Sequence, residues 1–313
     1  MKILIAGAAG AIGKQLVPLL VAEGHDVVGM TRSESNRELI EAMGARAAIA
    51  DALDADAVAS VVASAEPEAI AHELTALSGK FDLRNFDRFF ETTSRLRTEA
   101  TDHLLSAAHA VGVRRFVAQS YAGWPAAREG AMVKTEEDPF DPEPVPAMRR
   151  AFEAIRYLEE TVTGAAWTEG IVLRYGGFYG PGTSVEPGGE FTELIRKRRF
   201  PIVGDGAGVW SFVHVADAAE ATAAALTHGR RGVYNVVDDE PAPVAEWLPE
   251  VARQLGAKPP RRVPRWLGRM LAGEAAAVMM TEVRGASNEK AKRELGWTPA
   301  HPSWRQGVVA GAA

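Results

Sequence analysis

Near the N-terminus, Gly7-Ala8-Ala9-Gly10-Ala11-Ile12-Gly13 places glycines where a backbone can wrap an anion. Gly7 permits a tight turn, Gly10 lets the main chain approach a pyrophosphate, and Gly13 allows a helix to pack closely on a strand. Free N–H groups at the start of that helix complete an anion seat. The pattern draws its weight from its place between an apolar run at 2–6 and an amphipathic segment, and it predicts a bound dinucleotide. Farther on, Met30-Thr31-Arg32-Ser33 ends the expected second strand, where a site for NAD usually carries an acidic residue to hold the ribose hydroxyls. Arg32, with the hydroxyls of Thr31 and Ser33, suits a 2′-phosphate instead, because a guanidinium binds phosphate oxygens through paired donors. The expected cofactor is NADP(H), with NAD(H) as the alternative. Asp51 closes the third strand, placed to receive an adenine amino group or to cap the next helix.

These residues need a scaffold, and the hydrophobic pattern supplies one. Short apolar runs at 2–6, 26–30, 47–50, 69–71, 115–118 and 171–174 alternate with helical patterns at 13–23, 33–43, 54–64, 93–111 and 148–163. That order predicts right-handed βαβ units and a doubly wound α/β fold with a parallel Rossmann sheet. Met148, Phe152, Ile155, Leu158 and Val162 recur at helical spacing, so the last of these helices has an apolar face for the core or a dimer interface. After about Tyr175 the chain becomes rich in glycine and proline, which suits loops that carry binding residues. The expected division is a cofactor-binding domain at 1–174 and a smaller substrate-binding region at 175–313, part of which returns to the sheet. The run from Asp138 to Pro146 holds four prolines and is expected to be an extended surface loop.

Bulk composition narrows the function. The 313 residues include 47% hydrophobic and 24% charged residues, the profile of a soluble globular protein. A net charge of -6, from 35 basic and 41 acidic residues, offers no general attraction for nucleic acid or an anionic membrane. With no cysteine there are no disulfides, thiolate metal sites or cysteine nucleophiles, which fits a reducing cytoplasm. No metal site is expected, and no stretch reaches the roughly 20 apolar residues of a bilayer span.

From end to end the chain resembles the extended short-chain dehydrogenase/reductase family, also called the NAD-dependent epimerase/dehydratase family. The landmarks are the glycine turn, Asp51-Ala-Leu-Asp54, Ile70-Ala-His72, Arg114-Arg115-Phe116-Val117 leading to Ser120, Leu173-Arg174 before Tyr179-Gly180-Pro181-Gly182, Phe212-Val213-His214-Val215-Ala216-Asp217, and Ser287-Asn288-Glu289-Lys290 before Leu295-Gly296-Trp297. The resemblance implies an active site in the cleft between the two regions. It also implies cofactor contacts from Gly7, Ala9, Gly10, Ala11, Ile12, Gly13, Thr31, Arg32, Ser33, Asp51, Ala52, Leu74, Thr75 and Tyr175, and a homodimer through helices 93–111 and 148–163.

Active relatives pair a Ser or Thr with Tyr-x-x-x-Lys; the lysine lowers the tyrosine pKa and the tyrosine moves a proton during hydride transfer. No tyrosine here has a lysine four residues on, and alignment puts Met148 and Phe152 at the two positions. The acid/base groups are therefore sought in Ser120, Tyr121 and Glu73, with Arg97 near the place of a structural Asn. Gly177 and Trp210 replace the amide and cation with which relatives hold nucleotide sugars, which points to a more apolar or aromatic small substrate. The leading expectation is an NADP(H)-binding oxidoreductase-like enzyme. The rivals are a cofactor-binding sensor without catalysis and a lyase or isomerase that uses the cofactor transiently.

Overall fold

The computed structural model describes residues 1–77 and 85–307. Seven parallel strands form the main sheet: β1 Lys2–Ala6, β2 Asp26–Thr31, β3 Arg46–Ile49, β4 Ala69–His72, β5 Arg115–Tyr121, β6 Glu169–Tyr175 and β7 Gly232–Val236. Their spatial order is β3-β2-β1-β4-β5-β6-β7, so the chain reverses direction across the sheet between β1 and β4. A crevice opens at such a switch point, outside the carboxyl ends of the strands.

The sheet is covered on both faces, as parallel sheets must be. In β1, Ile3 and Ile5 join a core with Leu16, Val17 and Leu20 of helix α1 Gly13–Ala22, and with Val215, Ala218 and Leu226 of a later helix, Val215–Thr227. Leu4 and Ala6 point the other way, into a core with Val58 and Val62 of Ala55–Ala65, Leu104 of Glu91–Val111 and Leu158 of Arg149–Gly164. Strand alternation thus splits one apolar run between two cores. Each fully buried Leu or Ile contributes roughly 1.5–3 kcal/mol of transfer free energy, so the sheet is a stiff platform for the loops above it.

The structure adjusts several expected boundaries. β2 extends through Thr31, and the expected helix at 33–43 is a 3₁₀ turn, Glu34–Asn36, followed by the short helix Arg37–Ala42. Asp54, not Asp51, caps Ala55–Ala65 by accepting from the N–H groups of Asp56 and Ala57. Met148 ends a 3₁₀ turn that begins at Pro146, and the helix itself starts at Arg149. β6 runs one residue past the expected division at 174, and β7, unplaced in the sequence reading, pairs with it. Asp138 to Val145 contains no helix, although Asp141 and Val145 are buried, so this loop is anchored more firmly than a surface strap.

The region after Tyr175 builds a core of its own around Trp247, Trp304, Phe212 and Tyr179. It also supplies Val278 and Met279 to an apolar cluster with Phe86, Phe90, Trp124, Met148 and Phe152.

Candidate functional site

The Gly7–Gly13 turn fits its expected role on stereochemical grounds. Gly7 has φ +98°, and a Cβ there would lie 2.7 Å from the Glu73 carbonyl oxygen. A Cβ at Gly13 would run into the carbonyl of Ala8 and sit 2.6 Å from that of Gly7. Strand, turn and helix are therefore packed as closely as backbone allows. Among the described residues, the N–H groups of Ala11 and Ile12 have no backbone acceptor, which leaves them available to a ligand at the turn.

Above the turn lies a cleft of about 750 Å³, within the roughly 300–1,000 Å³ span of small-molecule sites. Gly7, Ala9, Gly10, Ala11 and Ile12 line one end, and Thr31, Arg32, Ser33, Asp51, Ala52, Leu74 and Thr75 continue the wall. The Thr31 hydroxyl accepts from Asn36 Nδ2 at 3.1 Å and from the Ser33 N–H at 3.4 Å, which ties down the loop that carries Arg32. Arg32 is exposed and makes no ion pair among the described residues, so its donors are free for a ligand. Asp51 Oδ1 accepts from the Leu53 N–H at 3.0 Å and holds a local turn at the cleft edge. This donor set, a glycine turn followed by hydroxyls and an exposed guanidinium, fits a nicotinamide dinucleotide.

The other end of the cleft is built differently. Tyr121, Gln119, Trp124, Phe86, Phe90, Leu96, Arg97 and Met279 line it. Phe86 stacks on Phe90 at 4.4 Å between ring centres, Trp124 meets Phe86 edge-on at 5.4 Å, and Tyr121 lies 5.8 Å from Trp124. Burial and the low-dielectric surroundings push the Tyr121 hydroxyl up to about 12, partly offset by the Arg97 cation, so it stays protonated and can donate. Burial lowers Arg97 to about 10, which leaves it charged at neutral pH.

Glu73 stands between the two ends. It is 5% exposed, receives the Tyr175 hydroxyl at 3.3 Å on Oε1, and leaves Oε2 without a partner among the described residues. Burial pushes its carboxyl up to about 8 despite that hydrogen bond. At neutral pH it is mostly a neutral acid, so burial makes this member of the expected acid/base set a donor.

Three expected site residues lie off the cleft wall. Ser120 is 1% exposed and donates to Glu159 Oε1 at 2.6 Å, a carboxylate also held by Arg174 at 2.8 and 2.6 Å. Its neighbours Gln119 and Tyr121 face the cleft, and the alternation of β5 sends Ser120 to the opposite face. Tyr175 is fully buried, with its hydroxyl between Glu73 and, at 2.7 Å, Thr222; it positions Glu73 and does not line the cleft. Gly13 also stays off the cleft wall, in keeping with a packing role. His72 is buried, its Nδ1 accepting from the Leu74 N–H while Nε2 meets Thr101 at 3.0 Å; burial lowers it to about 4, so it remains neutral. Trp210 donates to the Met279 carbonyl at 2.8 Å and packs on Trp247, behind the cleft wall.

Met148 and Phe152 are 4% and 3% exposed in the apolar cluster behind Trp124, and neither reaches the cleft. Among the described residues no group of acidic and histidine side chains could hold a metal.

Comparison with known proteins agrees with this architecture. The profile of the NAD dependent epimerase/dehydratase family matches residues 3–237. The chain belongs to that family. A Streptomyces protein named 3-diazoavenalumate denitrifying reductase is 44% identical over 309 residues, covering 98% of this chain and 99% of its own. Among solved structures, the UDP-glucose 4-epimerase of Thermotoga maritima with UDP-glucose superposes with a TM-score of 0.76 at 21% identity, covering 98% of this chain and 96% of its own. The Thermus thermophilus UDP-glucose 4-epimerase complex with NAD gives 0.73 at 24% identity, with the same coverage. These two likenesses establish the fold, and no described helix is long and apolar enough to cross a membrane.

Sequence reading missed Asn36, Gln119, Phe86, Phe90, Trp124 and Met279 as cleft residues. Gln119 and Trp124 flank the expected catalytic run, so strand parity was the available signal. Phe86, Phe90 and Met279 reach the cleft through long-range packing and carried none.

Proposed function

We propose that this protein is an NADP(H)-preferring reductase, with NAD(H) as the alternative cofactor, acting on a small, non-sugar, conjugated substrate. It transfers hydride to a centre that needs no proton placed on oxygen by the protein. A diazo substituent is such a centre, and the name of the Streptomyces relative at 44% identity supports this choice. The observation that carries the reading is the burial of Met148 and Phe152 where a proton-moving pair would stand. In the proposed reaction, the carbon–nitrogen bond of an aryl diazonium is replaced by carbon–hydrogen and dinitrogen leaves. A reduced nicotinamide supplies the hydride and both electrons, so no net proton is required. Gly7 to Ile12 hold the diphosphate, Arg32 and Ser33 the 2′-phosphate, and Tyr121 and Trp124 orient the ring.

The test is oxidation of NADPH deuterated at the transferring C4 position by a stable aryl diazonium salt, with heat-denatured protein as background. Protein-dependent formation of the deuterated arene is expected. Turnover of ketones or aldehydes with none of the diazonium would overturn the reading, and tight NADPH binding with no oxidation by either would favour a sensor. We further infer a homodimer through Glu91–Val111 and Arg149–Gly164, for which light scattering should give twice the chain mass. A cytoplasmic enzyme with the division near 174 completes the proposal.

A further inference from the structure

Arg97 is a buried cation without adequate partners. It projects from the long helix Glu91–Val111, is 4% exposed, lines the cleft, and leaves Nε and Nη1 without a hydrogen-bond acceptor among the described residues. Glu159 attracts it, yet both Glu159 oxygens are already taken by Ser120 and Arg174. A buried guanidinium with idle donors is costly unless an anion completes it. Beside it stands the protonated Tyr121 hydroxyl, and the adjoining wall is the aromatic group Phe86, Phe90 and Trp124. Cation, phenol and ring-sized apolar wall meet in one end of the cleft.

We propose that Arg97 and Tyr121 form an oxyanion seat for an aromatic carboxylate whose ring lies among Phe86, Phe90 and Trp124. This deepens the reductase reading, because it names the substrate class of the same site. The carboxylate accepts from the guanidinium and the phenol, which fixes the ring end-on against the aromatic wall. A phenolate offers similar oxyanion chemistry and is the second arm of the test.

Binding is measured by calorimetry on the full chain, without turnover, in the presence and absence of NADP⁺, so failure of the redox reading leaves this result intact. The probes are cinnamate against methyl cinnamate, and 4-nitrophenolate against 4-nitroanisole. Cinnamate is expected to bind about ten- to a hundredfold more tightly than its ester, the range for hydrogen bonds to a charged group. Arg97→Gln should abolish that preference while leaving ester binding unchanged, and Arg97→Lys should retain part of it. A structural role for Arg97 alone would weaken acid and ester equally, which overturns the proposal. So would equal binding of acid and ester by the unaltered protein. A charge preference confined to 4-nitrophenolate assigns the seat to a phenolate and overturns the carboxylate.

Discussion

The two ends of the cleft are built from different materials. At the Gly7–Gly13 end the ligand-facing surface is almost all backbone, fixed by contacts so close that a Cβ at Gly7 or Gly13 would collide with a carbonyl. At the Tyr121 end it is all side chain, drawn from β5, the long helix Glu91–Val111, the segment around Phe86 and the C-terminal region at Met279. A backbone cradle tolerates no change at its glycines but is indifferent to many neighbours. A side-chain wall can be rebuilt residue by residue, so the same sheet can keep its glycine turn while the other end of the cleft changes.

The sharpest break of this contrast is Gly13→Val. With the Ala8 and Gly7 carbonyls against the new side chain, NADPH binding should fall by more than about a hundredfold and the fold should weaken, because over-packing at a backbone contact has no rotamer to relieve it. Unchanged binding by calorimetry would show that the turn is not the seat. Next in size is Phe152→Lys, which places half of the missing pair in the apolar cluster with Met148 and Trp124. An unpaired buried charge costs about 3–5 kcal/mol, read as a fall in the urea midpoint, with no gain in carbonyl reduction. Gain of such activity would mean that the helix reaches the cleft.

Glu73→Gln probes the boundary between the ends through pH. The carboxyl rises from its ordinary 4.5 to about 8 in the fold, so between those values the folded state holds a proton that the unfolded chain has lost. Native stability therefore declines as pH rises from about 4.5 to 8, and Gln removes that decline. The variant should match the parent near pH 4 and exceed it by an amount on the order of a few kcal/mol at pH 8, seen in urea titrations at the two values. Parallel pH profiles would show that Glu73 is ionised and solvated. The smallest effect belongs to Arg32→Ala, which should weaken NADPH about tenfold and leave NADH unchanged, since one exposed charge-assisted contact is lost. Equal losses for both would remove Arg32 from the 2′-phosphate.

Much of the cofactor end was legible because its information is local. Gly7, Gly10 and Gly13 act through neighbours within a few residues, and Thr31, Arg32, Ser33 and Asp51 sit where β2 and β3 end. The reacting end was less legible. The run Gln119-Ser120-Tyr121 gave the alternation of side chains but not which parity faces the cleft, so Ser120 and Tyr121 both stood as candidates until the fold put Tyr121 on the cleft wall. Tyr175 looked equally eligible at the end of β6, yet Thr222, on a helix 47 residues later, encloses its hydroxyl.

What the sequence determined by itself was the doubly wound sheet, the glycine turn and the absence of any Tyr-x-x-x-Lys pair. Periodicity, glycine stereochemistry and residue identity suffice for those. Only the tertiary structure decided that Glu73 is a buried neutral acid, that Arg97 lacks a full set of partners, and that Phe86, Phe90, Trp124 and Met279 share a wall. Burial and hydrogen-bond satisfaction depend on which distant segments close over a side chain, and those segments are brought together by the packed sheet.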